Sequence, residues 1–516
     1  MEWIVIGEKD GGKIRLVSKG ERGILPKGSF LTVDDSGHKF VLRVDESKQV
    51  EPYSPSPLIA EMDLPGLEPD RKCINEVIAY RVKDMDKRED GLVDFIHPLS
   101  KAHLSSQEEV DSAMEVGHKG PRVFVSTIHA NQNRILRGSD GRRISVCLPE
   151  DMFFHQIMIC GKTGSGKTVA MKYFAKYFAE DMNGAVLAIN VKDIDFLQMD
   201  QPSDDLTDSI ASEWSDLGVG AEGMHGVTMY MPANRKFKNI PGITQEICER
   251  ITLDVDKIQP EALTGLLQGM SDKGALLFPS IFNYWRDSRR NKGIRPSFTD
   301  FINYFNSKED RVFNTLSERG DESIATLHPS TYDNIARALT SVSDFFDNGD
   351  ARSLEASDIL ERGKISILDF SGENGPKFGS ILLRDLLKKI VDEKDRVGSN
   401  VPILIIIDEV HQFYGDTAAT EALGDLDTIC RTGRTKKIAV MFASQNPTDM
   451  PKGIASVINT KIFFKSDLTS SKDLGVRITV EEFEGLKKGF AVVQIHGVPQ
   501  LRVVKFPLSP CGVMKR

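Results

Sequence analysis

The sequence predicts an α/β nucleotide-binding fold built around a parallel β-sheet. Two motifs support this prediction: a glycine-rich loop at residues 161–168 and an apolar run that ends in two carboxylates at 408 and 409. A third observation is the alternation of apolar strands with helical segments from His155 onward. Strands that helices cover on both faces contain few interleaved polar residues, and these runs show that pattern.

The glycine-rich loop has the sequence GKTGSGKT, which matches GxxxxGK[ST] at every fixed position. It lies between the apolar run 155–160 and a segment, 169–182, whose apolar residues recur at helical spacing, as a phosphate loop requires. Its glycines allow backbone N–H groups to surround a phosphate, and the helix N-terminus adds partial positive charge. The predicted nucleotide-binding residues are Gly161, Lys162, Thr163, Gly164, Ser165, Gly166, Lys167 and Thr168.

We predict ATP and Mg²⁺ as the cofactors of this site. Lys167 is expected to reach the β- and γ-phosphates, and the Thr168 hydroxyl is expected to bind the metal. The run Ile403–Ile407 is followed by Asp408, which would hold Mg²⁺ through its water shell, and by Glu409, which would polarise the attacking water. An acidic pair at a strand end is also compatible with a solvated terminus, but the complete phosphate loop upstream favours catalysis.

Three further residues are catalytic candidates. Gln445 follows the next apolar run, 438–444, and is expected to sense the γ-phosphate or to position water, with a polar turn residue as the alternative. Between the two strands lies RTGRTKK, residues 431–437, in which an arginine is expected to reach the nucleotide of a neighbouring subunit. Arg434 is the first candidate and Arg431 the second, and a solvated or nucleic-acid-binding basic loop is the alternative.

Two other polar stretches have open interpretations. The stretch Asn190–Asp195 follows the second core strand, where Lys192 or Asp195 would serve catalysis, subunit coupling or a turn. The densest basic and aromatic stretch between residues 200 and 350 is a candidate for contact with DNA or a partner protein, with a solvated helix end as the alternative. The basic residues proposed for this contact are Arg286, Arg289, Arg290 and Lys292.

The chain of 516 residues is long enough for about three domains. Short β-prone runs separated by turn sequences predict a small β-barrel near the N-terminus. The predicted organisation is a barrel in 1–90 with further strands available from 91–150, a nucleotide-binding core in 151–199 and 351–490, a mainly helical insertion in 200–350, and a C-terminal β-hairpin and tail in 491–516.

Composition excludes several classes of protein. With 40% hydrophobic and 27% charged residues, the chain has the balance of an ordinary soluble protein, and no apolar stretch approaches the ~20 residues that a bilayer span needs. The six cysteines form no CxxC pair and no spacing suited to zinc. The net charge of −9 means that contact with DNA requires a local basic patch or the inner wall of a ring. We therefore expect a cytoplasmic protein without a membrane segment.

Taken together, these motifs resemble the HerA family of hexameric DNA-translocating ATPases, within the HerA/FtsK group of RecA-like motors. The likeness covers most of the chain: the N-terminal barrel is similar to the HAS barrel of that family, and GKTGSGKT, IIIDE, RTGRTKK and ASQNP follow in order. It implies a RecA-like P-loop NTPase core and a homohexamer with ATP sites at subunit interfaces that pulls double-stranded DNA through a basic lumen. It also implies a nuclease partner (NurA-like) or another effector protein, in DNA end processing or phage defence.

Three other functions are compatible with parts of the sequence. The segment DEVH at 408–411 is similar to the box of superfamily 2 helicases, but Arg434 follows Asp408 by only 26 residues, too few to place it in a second domain. A secretion or conjugation ATPase of the same broad group usually acts at a membrane, and this chain has no predicted anchor. An ATP-switched ring scaffold that assembles and activates a partner enzyme would retain the same motifs.

Overall fold

The computed structural model describes residues 2–9, 12–19, 24–50, 74–86, 94–115, 119–129, 132–191, 196–234, 245–267, 277–317, 319–371, 375–396, 398–410, 429, 433–449, 458–466 and 479–515. The chain forms two compact units. The first contains Met1–Glu150, Asp208–Gly218 and Ser470–Pro507, and the second contains Asp151–Thr207, Val219–Thr469 and Leu508–Arg516. Each unit is therefore assembled from segments that are distant in sequence.

Strands dominate the N-terminal part of the chain, and strands and helices alternate after it. The strands are β1 (Trp3–Lys9), β2 (Lys13–Lys19), β3 (Phe30–Asp35), β4 (His38–Val50), β5 (Ile74–Asp84), β6 (Lys101–Leu104), β7 (Arg122–His129), β8 (Gln132–Ile135), β9 (Ser145–Cys147), β10 (Ile157–Cys160), β11 (Ala185–Asn190), β12 (Val227–Pro232), β13 (Cys248–Ile251), β14 (Val312–Leu316), β15 (Glu322–Thr326), β16 (Ile365–Asp369), β17 (Ile403–Ile407), β18 (Ile438–Ser444), β19 (Thr460–Phe464), β20 (Phe490–Gln494) and β21 (Val503–Lys505). The α-helices are α1 (Gln107–Met114), α2 (Lys167–Glu180), α3 (Asp208–Leu217), α4 (Phe278–Asn291), α5 (Phe298–Asn306), α6 (Pro329–Val342), α7 (Ala356–Ile359), α8 (Gly375–Arg396) and α9 (Val480–Glu484).

The first unit contains a closed antiparallel barrel in the order β1-β2-β5-β4-β3-β6. It closes where β6 pairs with β1, with Trp3 opposite Ala102. Along β1, the side chains of Trp3 and Val5 are fully buried while Ile4 between them is 40% exposed, because successive residues of a strand face opposite sides. The predicted N-terminal barrel is confirmed, and its last strand comes from beyond residue 100.

Five further strands that pair in antiparallel fashion belong to the same unit. Strands β20 and β21 pair with each other, β21 pairs with β7, and β7 also pairs with β8 and β9. Helix α3 is fixed to this unit by an ion pair of Arg143 with Asp216 and by a contact of Lys505 with the buried Glu213. The C-terminal strand pair is thus grouped with the N-terminal segment Met1–Glu150.

The second unit is an α/β unit whose parallel sheet has the order β13-β12-β16-β11-β17-β18-β10-β19. Every residue of β11, β16, β17 and β18 is buried, as expected for strands covered on both faces. Strand β10 leads into the phosphate loop and lies between β18 and β19. Strand β17, which ends before Asp408, is separated from β10 only by β18. The sheet therefore brings the carboxyl ends of all three motif-bearing strands to one edge.

Residues 200–350, predicted as a mainly helical insertion, contribute strands as well as helices. Strands β12 and β13 extend the main sheet, and β14 and β15 form a separate two-stranded hairpin. Helices α4 and α5 pack through an aromatic cluster in which Phe301 lies 5.0 Å from the rings of Phe282 and Trp285. Aromatic residues recur at helical spacing in α4 and α5, whereas strands as short as β13 give little periodic signal.

The C-terminal segment, in which Ser509–Arg516 are predicted as a tail, is hydrogen-bonded into the second unit. The backbone N–H of Gly512 donates to the Gln201 carbonyl at 2.9 Å, and that of Val513 donates to Ser203 Oγ at 2.9 Å. Lys172 of helix α2 donates to the Gly512 carbonyl. In the described part of the chain, no helix combines the length and apolarity that crossing a bilayer requires.

Candidate active site

The phosphate loop begins at the carboxyl end of β10 and is fixed there by both neighbouring strands. The N–H of Gly161 donates to the carbonyl of Ser444, the last residue of β18, at 3.1 Å. The N–H of Lys162 donates to the carbonyl of Lys465, which follows β19, at 2.8 Å. The start of the loop is therefore held between the carboxyl ends of β18 and β19.

Three glycines shape the loop for different reasons. Gly164 and Gly166 have φ values of 81° and 112°, which residues that carry a Cβ atom rarely adopt. A Cβ on Gly161 would lie 2.6 Å from Ser165 Oγ and 2.7 Å from the Cβ of Phe464, closer than real contacts allow. Gly166 directly precedes helix α2, so its conformation turns the backbone into the helix N-terminus that points toward the loop.

A buried charge cluster lies next to the loop. Lys167, the first residue of α2, is 4% exposed, and its Nζ lies 3.0 Å from Asp408 Oδ1 and 3.7 Å from Glu409 Oε1. Both carboxylates are almost fully buried, at 2% and 1% exposure. Buried charges require partners, and one ammonium here faces two carboxylates. The structure thus brings together the lysine of the phosphate loop and the acidic pair that the sequence predicts.

Gln445 completes this cluster. It follows β18, the strand between those that carry the loop and the acidic pair, and its Nε2 donates to Glu409 Oε1 at 3.2 Å. Glu409 itself has a φ of 49°, an uncommon value for a residue with a side chain, and its N–H donates to Asp408 Oδ1 at 2.9 Å. Backbone strain and the amide contact together fix where the Glu409 carboxylate points.

The residues present fit a magnesium–nucleotide. The loop presents Ser165 Oγ, which is buried and has no hydrogen-bond partner among the described residues, beside backbone N–H groups at a helix N-terminus. Thr168 in the first turn of α2 and Asp408 offer a hydroxyl and a carboxylate, the hard oxygen donors that Mg²⁺ prefers. Lys167 supplies a cation that phosphate oxygens can take over from the carboxylates.

Sequence analysis missed a polar network at the same edge of the sheet. Asn190, at the end of β11, donates through Nδ2 to Asp369 Oδ1 at 3.0 Å, and the same oxygen accepts the Ser371 hydroxyl at 2.8 Å. Asn190 Oδ1 accepts the N–H of Phe196 at 3.2 Å, which fixes the chain beyond β11. The sequence signal that could have revealed this network is Asp369, the carboxylate at the end of the apolar run of β16. Lys192 and Asp195 lie outside the described residues.

The candidate arginines are placed differently. Arg434 is 65% exposed, and its Nη2 lies 3.8 Å from Asp151 Oδ2. No described contact joins it to Lys167, Asp408 or Glu409 of its own chain. Arg431 lies outside the described residues.

The structure corrects the proposed contact surface at Arg286. This side chain is only 8% exposed and donates to the Ile258 carbonyl at 2.5 Å, with its guanidinium carbon 5.3 Å from the centre of the Phe282 ring. Burial lowers the pKa of Arg286 to about 10. The aromatic residues beside it turn this face of α4 into the core, so Arg286 does not face DNA or a partner.

The other members of that group lie toward the end of α4. Arg290 is exposed and forms an ion pair with Asp256 at 2.7 Å. Arg289 lies in the last turn of the helix and is half-buried, and Lys292 follows the helix and is exposed. Contact with DNA or a partner remains a prediction for these three residues.

Two family models match the chain with these motifs inside them. "Helicase HerA, central domain" matches residues 135–390, and "Helicase HerA-like C-terminal" matches residues 313–490. Together they span 135–490, more than two thirds of the chain and every element of the candidate site. The chain belongs to the HerA family of ATPases.

Other comparisons add similarity at lower levels. This HerA-family chain is 24% identical over 221 residues to the "DNA double-strand break repair helicase HerA" of Sulfurisphaera tokodaii, a match that covers 40% of this chain and 44% of the relative's length. Solved structures with similarity include the bacterial conjugative coupling protein TrwBdeltaN70 (12% identity, TM-score 0.49, 78% of this chain and 92% of that chain) and VirB4 of Thermoanaerobacter pseudethanolicus (12%, 0.45, 76% and 97%).

Proposed function

We propose that this chain is an ATP hydrolase that moves along double-stranded DNA as a homohexameric ring. The observation that supports hydrolysis most directly is the 3.0 Å contact of Lys167 Nζ with Asp408 Oδ1 at the end of the phosphate loop. Glu409 lies beside this pair and is positioned by Gln445. A lysine for phosphate, a carboxylate for the metal and a second carboxylate for water are the groups that phosphoryl transfer to water uses.

Each residue has a separate role in this proposal. Lys167 exchanges its carboxylate partners for phosphate oxygens, while Thr168 and Asp408 hold the metal site. When bound at these residues, Mg²⁺ would supply the positive charge that offsets negative charge on the phosphate oxygens. Glu409 polarises the attacking water as a general base, and the Gln445 amide keeps the Glu409 carboxylate in place while contacting the γ-phosphate side of the site.

Membership of the HerA family supports the parts of the proposal that concern DNA and the ring. The similar protein of Sulfurisphaera tokodaii is named as a DNA double-strand break repair helicase, which favours DNA as the substrate of this chain as well. Arg434 is exposed and makes no contact with its own Lys167 or Glu409 among the described residues, as expected for an arginine that serves the site of a neighbouring subunit. A nuclease or another effector in DNA end processing or phage defence is the partner that we propose for the ring.

ATP hydrolysis by the purified protein, with and without duplex DNA, tests this function. Duplex DNA is expected to raise the rate several-fold. Glu409→Gln should lower the rate by about 100-fold, because it removes the general base while preserving the shape of the site. Glu322→Gln, on the exposed strand β15, is the matched control and should behave as wild type.

Binding of ATP separates loss of chemistry from loss of folding. Glu409→Gln should still bind ATP, because Lys167 and the phosphate loop are unchanged. Hydrolysis that ignores every nucleic acid but rises with a partner protein would contradict translocation and would favour an ATP-switched scaffold.

A further inference from the structure

The first unit contains a cavity of about 590 Å³ that is unrelated to the nucleotide site. Its walls come from the barrel, from β7 and from the C-terminal strands β20 and β21. This volume lies within the usual range for sites that bind small molecules. Three cationic side chains line it: Lys27, Arg43 and Arg502.

Arg43 is the unusual member of this set. Its side chain is only 5% exposed, and its guanidinium donates to the Gln500 carbonyl and lies 5.4 Å from the centre of the Phe30 ring. Burial lowers the pKa of Arg43, the contact with Tyr80 partly opposes this shift, and the charge of Arg502 adds a smaller lowering effect. Two arginines that repel each other thus line one cavity, an arrangement that an anion between them would stabilise.

The carboxylates of the same cavity are occupied by other groups. Asp45 binds Lys13 at 2.7 Å and Lys27 at 3.5 Å, and the hydrogen bond from Lys13 is the main reason that the pKa of Asp45 is lowered. Glu482 accepts the N–H of Thr479 at 3.1 Å in the capping box of helix α9. Neither carboxylate forms an ion pair with Arg43 or Arg502 among the residues that the structure describes. The cavity therefore keeps an excess of positive charge.

Uncharged groups around the arginines favour an oxyanion. The hydroxyls of Tyr80 and Thr127 line the cavity and can donate hydrogen bonds to additional oxygens, whereas the Ser126 hydroxyl already donates to the Phe124 carbonyl at 3.3 Å. Gly28 lies over the guanidinium, where an added Cβ would stand 3.6 Å from Arg43 Nη2. Arginine guanidinium groups bind phosphate through paired N–H donors, and a glycine at this position leaves room for such a ligand.

We propose that this cavity binds a small phosphate monoester, with its phosphate between Arg43 and Arg502. The remaining volume accommodates a polyhydroxylated body whose hydroxyls face the Asp45 side of the cavity. This site goes beyond the proposed motor function and does not depend on it.

Calorimetric titration of the full chain with ribose 5-phosphate and with inorganic phosphate tests this proposal. The titration uses Lys167→Ala protein, so that the phosphate loop does not contribute the signal. Ribose 5-phosphate is expected to bind with a dissociation constant below about 1 mM, while ribose alone should not bind. Arg502→Gln should weaken binding at least tenfold, because it removes an exposed cation without disturbing the core, whereas Arg142→Gln on an exposed turn should leave binding unchanged.

A second measurement tests whether the buried Arg43 side chain contributes to binding. Ribose 5-phosphate should raise the unfolding temperature of the Lys167→Ala protein and should leave that of the Lys167→Ala/Arg43→Met protein unchanged. The proposal would be overturned if ribose 5-phosphate did not bind, or if Arg502→Gln did not weaken its binding. Tighter binding of succinate than of either phosphate probe would also overturn it, since the site would then select carboxylates. Loss of DNA-stimulated hydrolysis has no bearing on this result, so the two proposals fail independently.

Discussion

At the scale of single residues, the central feature is one buried ammonium beside two buried carboxylates. Lys167 faces Asp408 and Glu409, and all three are less than 5% exposed. Such a cluster tolerates the loss of Lys167 poorly, because the desolvation cost of the carboxylates remains. The same arrangement keeps the lysine at the position where a γ-phosphate would replace its partners.

We predict that Lys167→Ala destabilises the nucleotide-free protein by about 3 kcal/mol, the usual cost of removing one partner from a buried charge pair. Urea unfolding of the second unit measures this change when the transition is monitored by intrinsic fluorescence or by the fluorescence of a bound dye. Lys162→Ala is the matched control, since Lys162 is the exposed lysine of the same loop. Equal unfolding midpoints for the two variants would show that Lys167 does not compensate the acidic pair.

At the scale of elements, the sheet order explains why the site forms. Strands β10, β18 and β17 are neighbours, so three segments that are far apart in sequence end at one edge. The loop after β10 must also pass very close to β19, which requires a residue without a side chain at position 161.

We predict that Gly161→Ala lowers ATP affinity more than tenfold. The added Cβ would stand 2.7 Å from the Cβ of Phe464, and the loop must move away from β19 to relieve this contact. Gly220→Ala is a suitable control in the same unit, because no atom lies within 4 Å of a Cβ there. Titration with a fluorescent ATP analogue compares the two, and equal affinities would contradict the described loop.

Helix α8 provides a test of electrostatics within an element. Lys394 in its last turn donates to the Val401 carbonyl at 2.5 Å, just before β17. Burial lowers the pKa of Lys394 to about 8, and the charges of Lys437 and Arg362 add to this effect. The unfolded chain, with an ordinary lysine pKa, therefore binds more protons between about pH 8 and pH 10.5, so this residue increases stability as the pH rises through that window.

We predict that wild type gains stability relative to Lys394→Met as the pH rises from 7.5 to 10. Urea midpoints of both proteins at the two pH values give this difference in stability. Titrations elsewhere in the chain affect both proteins equally and therefore cancel. If the urea midpoints of the two proteins change equally with pH, Lys394 keeps its ordinary pKa in the folded protein.

Local signals in the sequence were sufficient for these strands of the parallel core, since the apolar runs 403–407 and 438–444 match β17 and β18 at both ends. The phosphate loop and the acidic pair were identified by fixed spacing, which does not depend on the rest of the fold. The Asn190–Asp369 contact and the burial of Arg286 were not accessible, because each depends on which distant segments the sheet and the helices bring together. The grouping of β20 and β21 with β7 has the same origin in long-range pairing.

At the scale of the whole molecule, the proposed ring determines which subunit completes each site. Arg434 is exposed, and its described ionic neighbour is Asp151 rather than a residue of its own nucleotide site. In a ring, the Arg434 side chain of one subunit would neutralise the charge on the γ-phosphate bound by the next. A particle of six chains of 57.4 kDa is the expected assembly in the presence of ATP.

We predict that Arg434→Ala and Glu409→Gln are each inactive in ATP hydrolysis and regain activity when mixed. Mixing creates interfaces in which an intact Glu409 site meets an intact Arg434 from its neighbour. The exposed Arg142→Ala variant, mixed with Glu409→Gln in the same ratios, controls for simple dilution. If the Arg434→Ala mixture never exceeds the sum of its inactive components, Arg434 does not act between subunits.

The most direct test of the proposed motor is displacement of a third strand from duplex DNA, since this requires ATP-driven movement along the duplex. The wild-type protein is predicted to release the labelled third strand with ATP and Mg²⁺, and Glu409→Gln is predicted to bind ATP without releasing it. Failure of the wild type to displace the strand while it hydrolyses ATP, or equal displacement by Glu409→Gln, would contradict the account.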